Sequence, residues 1–402
     1  MRAICLSSVL LAAALLGGCG KGTSGSSVTG PAPVPSAALV PADEVDAGPT
    51  RKAEKSASAG DRVKIPSGSM VAGSTPGDDG RDPLIEPTLL AADLGPYEID
   101  KLPFPNDPTK PPRTGVGRDE ARALCQQQGA RLCTELEWER ACKGPGNDLF
   151  GAGNRWDAAC AKDPSSCASG FGVLGLGASV REWTDSDLPP AEGSEQRRPV
   201  VRGASAAADA ADHRCAHRAV ADASSRSADL GFRCCRGAPN AAAIPPLKAG
   251  EPTIARTEVD LKKITKVLAA SPRLAPYARD LAFFKEEEAI KTVLQKGDVT
   301  TAKPGPVFTT GAVLWTPVPT EEVIVLALKA KGASLIVALY KLPEDNLRLA
   351  SSLVLKDENG PVVLSFTGFN KKRVMWSTCW ECAGEQGAVE LRDGRRLVIV
   401  HY

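Results

Sequence analysis

No block of basic residues breaks up this 402-residue chain, and its formal net charge is only +1. That argues against nucleic acid as a principal partner, because such proteins carry a concentrated cationic footprint. No early apolar run is long enough to cross a bilayer: Ile4 to Leu16 is too short to span one and has the length of a signal-peptide core. There are no internal repeats. Between Gly20 and Gly60 large apolar side chains are almost absent, so this Gly/Ser/Pro/Ala-rich stretch cannot offset the entropy of ordering and is expected to be a flexible tether. No C-x-x-C is matched by a second C-x-x-C or by an H-x-x-x-H in the first half, which disfavours a structural zinc site.

What is present starts with export. Arg2 is the only charge before Leu16-Gly17-Gly18-Cys19, which resembles a bacterial lipobox. Cleavage there would leave Cys19 as a lipidated first residue, with residues 1–19 a lipoprotein signal peptide and residues 20–60 a tether. Several acyl chains on one cysteine anchor stably, since each buried CH₂ adds about 0.8 kcal/mol. Gly20 is not the aspartate that favours inner-membrane retention. The expected location is therefore the bacterial cell envelope, lipid-anchored, with the outer membrane preferred. The length calls for two folded parts.

Two separated stretches carry a family likeness. From Cys125 to Cys142 the chain reads CQQQGARLCTELEWERAC. Between Val201 and Arg236 come VRGAS, HRCAHR and DLGFRCCR. Ile65-Pro66-Ser67-Gly68-Ser69 with Ala72-Gly73-Ser74, then Tyr97-Glu98-Ile99-Asp100, then Val173 to Trp183 (VLGLGASVREW), follow the same order of motifs. The region from Asp61 to Gly237 resembles the formylglycine-generating enzyme (sulfatase-modifying factor) family. The resemblance implies an α+β fold, a variant of the C-type-lectin-like fold.

It also implies what is missing. The family holds copper on a cysteine pair between R-G-G-S and R-C-A. Here that interval, Ala206 to Arg214, reads AAADAADHR and has no cysteine. The Gly-Asn of the family's calcium-binding segment is Ala178-Ser179. The expectation is no catalytic residue, and no cofactor at either the copper or the calcium position. The resemblance further implies disulfides Cys125–Cys234 and Cys142–Cys215. Cys133 and Cys235 are both additions to the family pattern and are paired by elimination, leaving Cys160–Cys167 as a local staple.

Other motifs have two readings each. His213 and His217 flank Cys215 at i, i+4, but in a segment expected to be strand or loop rather than helix. Arg181-Glu182-Trp183 could offer a carboxylate beside an aromatic, although in the family this motif is mainly structural. Asp209, Asp212 and Asp222 could line a polar groove or be solvated loop carboxylates. Trp138 is expected in the core rather than stacked on a ligand. Thr134-Glu135-Leu136-Glu137 is a capping box, and Asp119 to Gln128 a short helix ended by Gly129.

Beyond residue 237 no family is evident. An Ala/Pro-rich linker, 238–255, leads to a helical segment, 256–298, with one helix starting at Thr257-Glu258-Val259-Asp260. Pro276 is expected to open another helix carrying Tyr277, Leu281 and Phe284 on one face and ended by Gly297. Residues 305–402 read as an antiparallel β domain with hairpin turns at Asn359-Gly360 and Asp393-Gly394. Cys379-Trp380-Glu381-Cys382 lacks the βαβ context of a redox motif, so Cys379–Cys382 is read as a structural loop disulfide. The functional expectation is an envelope lipoprotein with a non-catalytic binding or structural module, its ligand an envelope protein or a glycan. The alternatives are a residual oxidase or other enzyme in the same groove, and a purely architectural protein.

Overall fold

The computed structural model describes residues 50–53, 56–189, 198–247, 250–299, 306–368 and 370–402. Cys19, the signal segment and residues 20–49 of the expected tether lie outside the described residues. The packed region begins before Asp61, however. Arg51 N–H donates to Ala152 O and Ala53 N–H to Ser166 O, each at 2.9 Å, and Ala53 and Ala57 pack on Leu102, Ala168 and Leu174. The composition of 50–60 reads as tether, but its backbone has partners on the domain surface.

In the first domain the local signals set two helices. Arg118–Gln127 stops where Gly129 takes a positive φ of 61°. Glu135–Lys143 starts at Thr134, whose side chain accepts the Glu137 N–H while the Glu137 carboxylate accepts the Thr134 N–H. Two sheets surround these helices. One has the strand order Arg62–Ile65, Tyr97–Asp100, Cys234–Arg236, Arg131–Leu132. The other runs Arg218–Val220, Arg198–Arg202, Arg181–Leu188, Leu230–Phe232, with the last pair parallel. Gly68–Ala72 and Leu90–Leu94 form a separate ribbon. Trp138 and Leu136 centre one core with Ile65, Ile99 and Val173. Trp183 and Phe232 centre a second.

Disulfides join elements far apart in sequence. Cys125–Cys234 ties the first helix to the last strand, Cys133–Cys235 ties the neighbouring strand to it, and Cys142–Cys215 ties the second helix to the segment after residue 214. Cys160–Cys167 and Cys379–Cys382 close short loops.

The second domain departs from expectation at three places. The linker is shorter than expected, because Thr253–Thr257 is a strand paired with Ala312–Val318. Asp260 then caps the helix Leu261–Ala270. Pro276 sits in a single 3-10 turn, Ala275–Tyr277, and Asp280 takes a positive φ of 60°. Tyr277, Leu281 and Phe284 therefore share no helix; the next helix is Glu286–Lys296, with Gly297 after it. Asn359-Gly360 is not a hairpin turn, because the strands on either side of it belong to different sheets. Asn-Gly favours a local reversal, but nothing local dictates which strand the chain then meets. Asp393-Gly394 does join paired strands, Gln386–Arg392 and Arg396–His401.

These strands make two five-stranded antiparallel sheets, one of Thr253–Thr257, Ala312–Val318, Glu321–Ala330, Ala333–Lys341 and Leu347–Lys356, the other of Pro306–Thr309, Val363–Thr367, Arg373–Ser377, Gln386–Arg392 and Arg396–His401. Period-2 alternation explains their packing. Val323, Val325 and Ala327 face the other sheet, beside Leu364, Trp376 and Val389. Ile324, Leu326 and Leu328 face Ile264 and Leu268 of helix Leu261–Ala270. Burial on both faces is why residues 323–328 read as an unbroken apolar run.

Non-reducing peptide mapping should recover the Cys125–Cys234 and Cys142–Cys215 crosslinks. The Cys142→Ala/Cys215→Ala variant should lose about 2–5 kcal/mol of unfolding free energy in denaturant titrations. Free thiols at both positions would contradict this pairing.

Candidate functional site

The interval without cysteine begins where strand Arg198–Arg202 ends. Gly203 has φ +75°, and a Cβ there would lie 3.2 Å from both the Trp138 ring and Val180 O. Only glycine fits both the conformation and that approach. Ala206, Ala207 and Asp209 are exposed and Asp212 half-buried. A 3-10 turn, Ala210–His213, then carries the chain inward. His213 is buried; its ring nitrogens face Gly177 O at 2.6 Å and Ala208 O at 3.3 Å, and the ring stacks on Trp156 with centroids 3.7 Å apart. The interval thus offers small side chains and carboxylates at the surface, closed beneath by an aromatic stack.

The donor set does not fit copper. Cu(I) prefers soft thiolates, the interval has none, and the nearest sulfur, Cys215, is bonded to Cys142. All ten cysteines among the described residues are in disulfides. The calcium position fits no better. Ser179 Oγ is buried without a hydrogen-bond partner, but Ala178 contributes only a methyl, and a hard cation takes about six to eight oxygens. Among the described residues no group of three or more His, Cys, Asp or Glu is arranged to hold a metal ion.

The remaining candidate residues do not converge. Trp138 is fully buried, and its Nε1–H donates to Glu182 Oε2 at 2.8 Å. Glu182 also accepts two bonds from Arg233, at 2.7 and 2.8 Å. It is a scaffold carboxylate. Arg181 instead reaches Asp229 at 2.8 Å. His217 Nδ1 lies 3.8 Å from Asp212, and burial keeps its pKa below the usual histidine value despite the carboxylates nearby. His213 and His217 therefore have different partners. Asp222 is exposed, beyond strand Arg218–Val220. Cys379 and Cys382 follow a strand rather than open a helix. Trp380 between them donates its backbone N–H to Val293 O at 3.1 Å and sets its ring edge-on to Phe308.

What the sequence did not mark is a buried ionic chain running from this interval to the second domain. Arg214 donates to both Glu86 oxygens, at 2.9 and 3.0 Å. Ser74 Oγ donates to Glu86 at 2.5 Å and accepts from Arg81 at 2.7 Å. Arg81 Nε reaches Glu321 at 3.1 Å, with both side chains about 1% exposed. Burial would raise the Glu86 pKa, but Arg214 and Ser74 outweigh it and hold the carboxyl below its ordinary value. For Glu321 burial wins over Arg81 and raises it; its Oε2 is buried with no hydrogen-bond partner. Around this chain, residues 74–88 are wedged in. A Cβ on Gly80 would lie 2.7 Å from Ala211, and one on Gly77 2.7 Å from the Tyr340 ring. Arg348 binds Asp78 at 2.8 Å, and Thr320 Oγ1 donates to Pro83 O at 2.6 Å. The partners lie up to 270 residues apart, so no local pattern could have announced them.

The first domain is thus a β-rich α+β unit tied by disulfides around a position that carries no thiol. Residues 92–238 match the family model of the sulfatase-modifying factor enzyme 1-like domain. A Bos taurus protein named "Inactive C-alpha-formylglycine-generating enzyme 2" is 31% identical over 156 residues, covering 32% of this chain and 50% of that protein. The chain therefore spans about half the length of this curated relative. Among solved structures, PvdO from Pseudomonas aeruginosa is 20% identical with a TM-score of 0.35, over 44% of this chain and 93% of that one. CarF is 16% identical with a TM-score of 0.34, over 44% and 97%.

Arg81→Met would strand Glu321 as a buried charge without its cation and should cost about 3–5 kcal/mol in urea unfolding. Arg81→Met/Glu321→Leu should recover most of that loss. Equal losses in the single and double variants would show that the pair does not couple the two sites.

Proposed function

We propose that this chain is a membrane-anchored envelope lipoprotein whose sulfatase-modifying-factor-like domain is a non-catalytic binding or structural module. The observation that carries the reading is the interval 206–214, which has no thiol and whose neighbour Cys215 is committed to Cys142. The reaction of the family needs two adjacent thiolates for copper. The name of the bovine relative, which calls that protein inactive, points the same way. The lectin-like frame implied by the family suits recognition, because exposed loops on a disulfide-tied scaffold vary without disturbing the core. An envelope protein or a glycan is the proposed ligand. The lipobox ending at Cys19 supplies the anchor, with the outer membrane as the preferred site.

Purified protein loaded with Cu(I) and offered a peptide carrying Cys-x-Pro-x-Arg should form no aldehyde above a copper-only control. Aldehyde formation that Cys215→Ser abolishes would restore the oxidase reading.

The anchor is tested separately. Cys19→Ser should move the protein from the membrane pellet to the soluble fraction of cells lysed in 0.5 M NaCl, where charge-mediated attachment is screened. An unchanged pellet fraction would rule out lipidation at Cys19 as the anchor.

A further inference from the structure

The chain as a whole is nearly neutral, at +1, yet the register of the second sheet gathers cations at one end of it. Arg373 lies opposite Glu390, and Arg392 opposite Arg396. Val374, Val389 and Leu397 alternate with them and point into the core. Arg373, Arg392 and Arg396 therefore share the outer face. Lys371 and Lys372 precede Arg373, and Arg395 completes the adjoining turn. All of these except the half-buried Arg373 are exposed. The same two segments hold only two carboxylates, Glu390, which pairs with Arg392 at 3.3 Å, and Asp393. Arg395 reaches Asp82 at 3.1 Å, at the seam with the first domain. An exposed aromatic at the other end of the last strand reaches one of these cations, Arg373. Tyr402 is 49% exposed, and its hydroxyl accepts from Arg373 at 2.9 Å.

We propose that this end of the second sheet is a docking surface for anionic lipid headgroups. Clustered, exposed lysine and arginine match a surface whose headgroups are anionic. Each basic residue held near an anionic leaflet raises partitioning about fivefold. The choice of a lipid partner rests on the membrane-anchor reading, but the test does not, because it uses protein that cannot be acylated at Cys19. A protein tethered by a lipid at one end and drawn to headgroups by this face would lie against the bilayer instead of extending from it.

The full chain carrying Cys19→Ser is mixed with vesicles of phosphatidylcholine alone, or with about one third phosphatidylglycerol, and sedimented. Binding should exceed that to neutral vesicles at least tenfold and should fall to the neutral level in 0.5 M NaCl, where charges are screened beyond about 4 Å. Lys371→Glu/Lys372→Glu/Arg396→Glu should lower it at least tenfold with an unchanged melting temperature. Equal binding to both vesicle types, or unchanged binding by the triple variant, would overturn the proposal. So would full competition by 10 mM inorganic phosphate, which would mark a small-anion site rather than a lipid surface.

Discussion

The first domain depends on neutralising one buried helix. All nine residues of Glu135–Lys143 are buried, and five of them are ionisable. Three carboxylates lie inside the fold, each answered by an arginine from another element. Glu135 pairs with Arg218 at 2.7 Å, Glu137 with Arg131 at 2.7 Å, and Glu139 with Arg202. Lys143 reinforces Glu139 at 3.1 Å. Desolvation of each charge costs several kcal/mol, and only well-formed pairs with extra hydrogen bonds offset it. The strands that bring Arg131, in one sheet, and Arg202 and Arg218, in the other, are therefore both tied to the helix they neutralise.

That arrangement neutralises the helix without drawing on the interval at 206–214, whose own buried residues, His213 and Arg214, have other partners. None of the three carboxylates of this helix draws its arginine from residues 206–214, and the disulfides close the domain around the interval. Small side chains can occupy the surface there while the frame persists, because the frame is secured elsewhere. The interval does take part in one contact beyond its own domain. Through Arg214, Glu86, Ser74 and Arg81 its last residue is linked to Glu321, so this loop and the second domain share one buried ionic chain.

Features set within a few residues were legible beforehand. Thr134 and Glu137 mark a helix start because a capping box closes across three residues. Gly297 follows the last helix, and Asp393-Gly394 turns a hairpin, since each of these signals needs only local dihedrals. The absence of thiols from Ala206 to Arg214 was equally plain. Pro276 and Asn359-Gly360 misled for the same reason. A proline or an Asn-Gly declares a local bend, but whether a helix continues from it, or which sheet receives the next strand, is settled by distant partners.

The sequence alone therefore determined which donors the interval can offer: family motifs in order on either side of Ala206 to Arg214, and within it small side chains and carboxylates but no thiol. The tertiary structure alone decided where the charges go. Glu321 and Arg81 are ordinary surface residue types in sequence, and only folding removes them from water together. Lys371, Lys372, Arg392 and Arg396 form no block along the chain, and only strand register assembles them on one face. Helix caps and turns act over a few bonds, whereas ion pairs and charge clusters act through space between segments brought together by the fold.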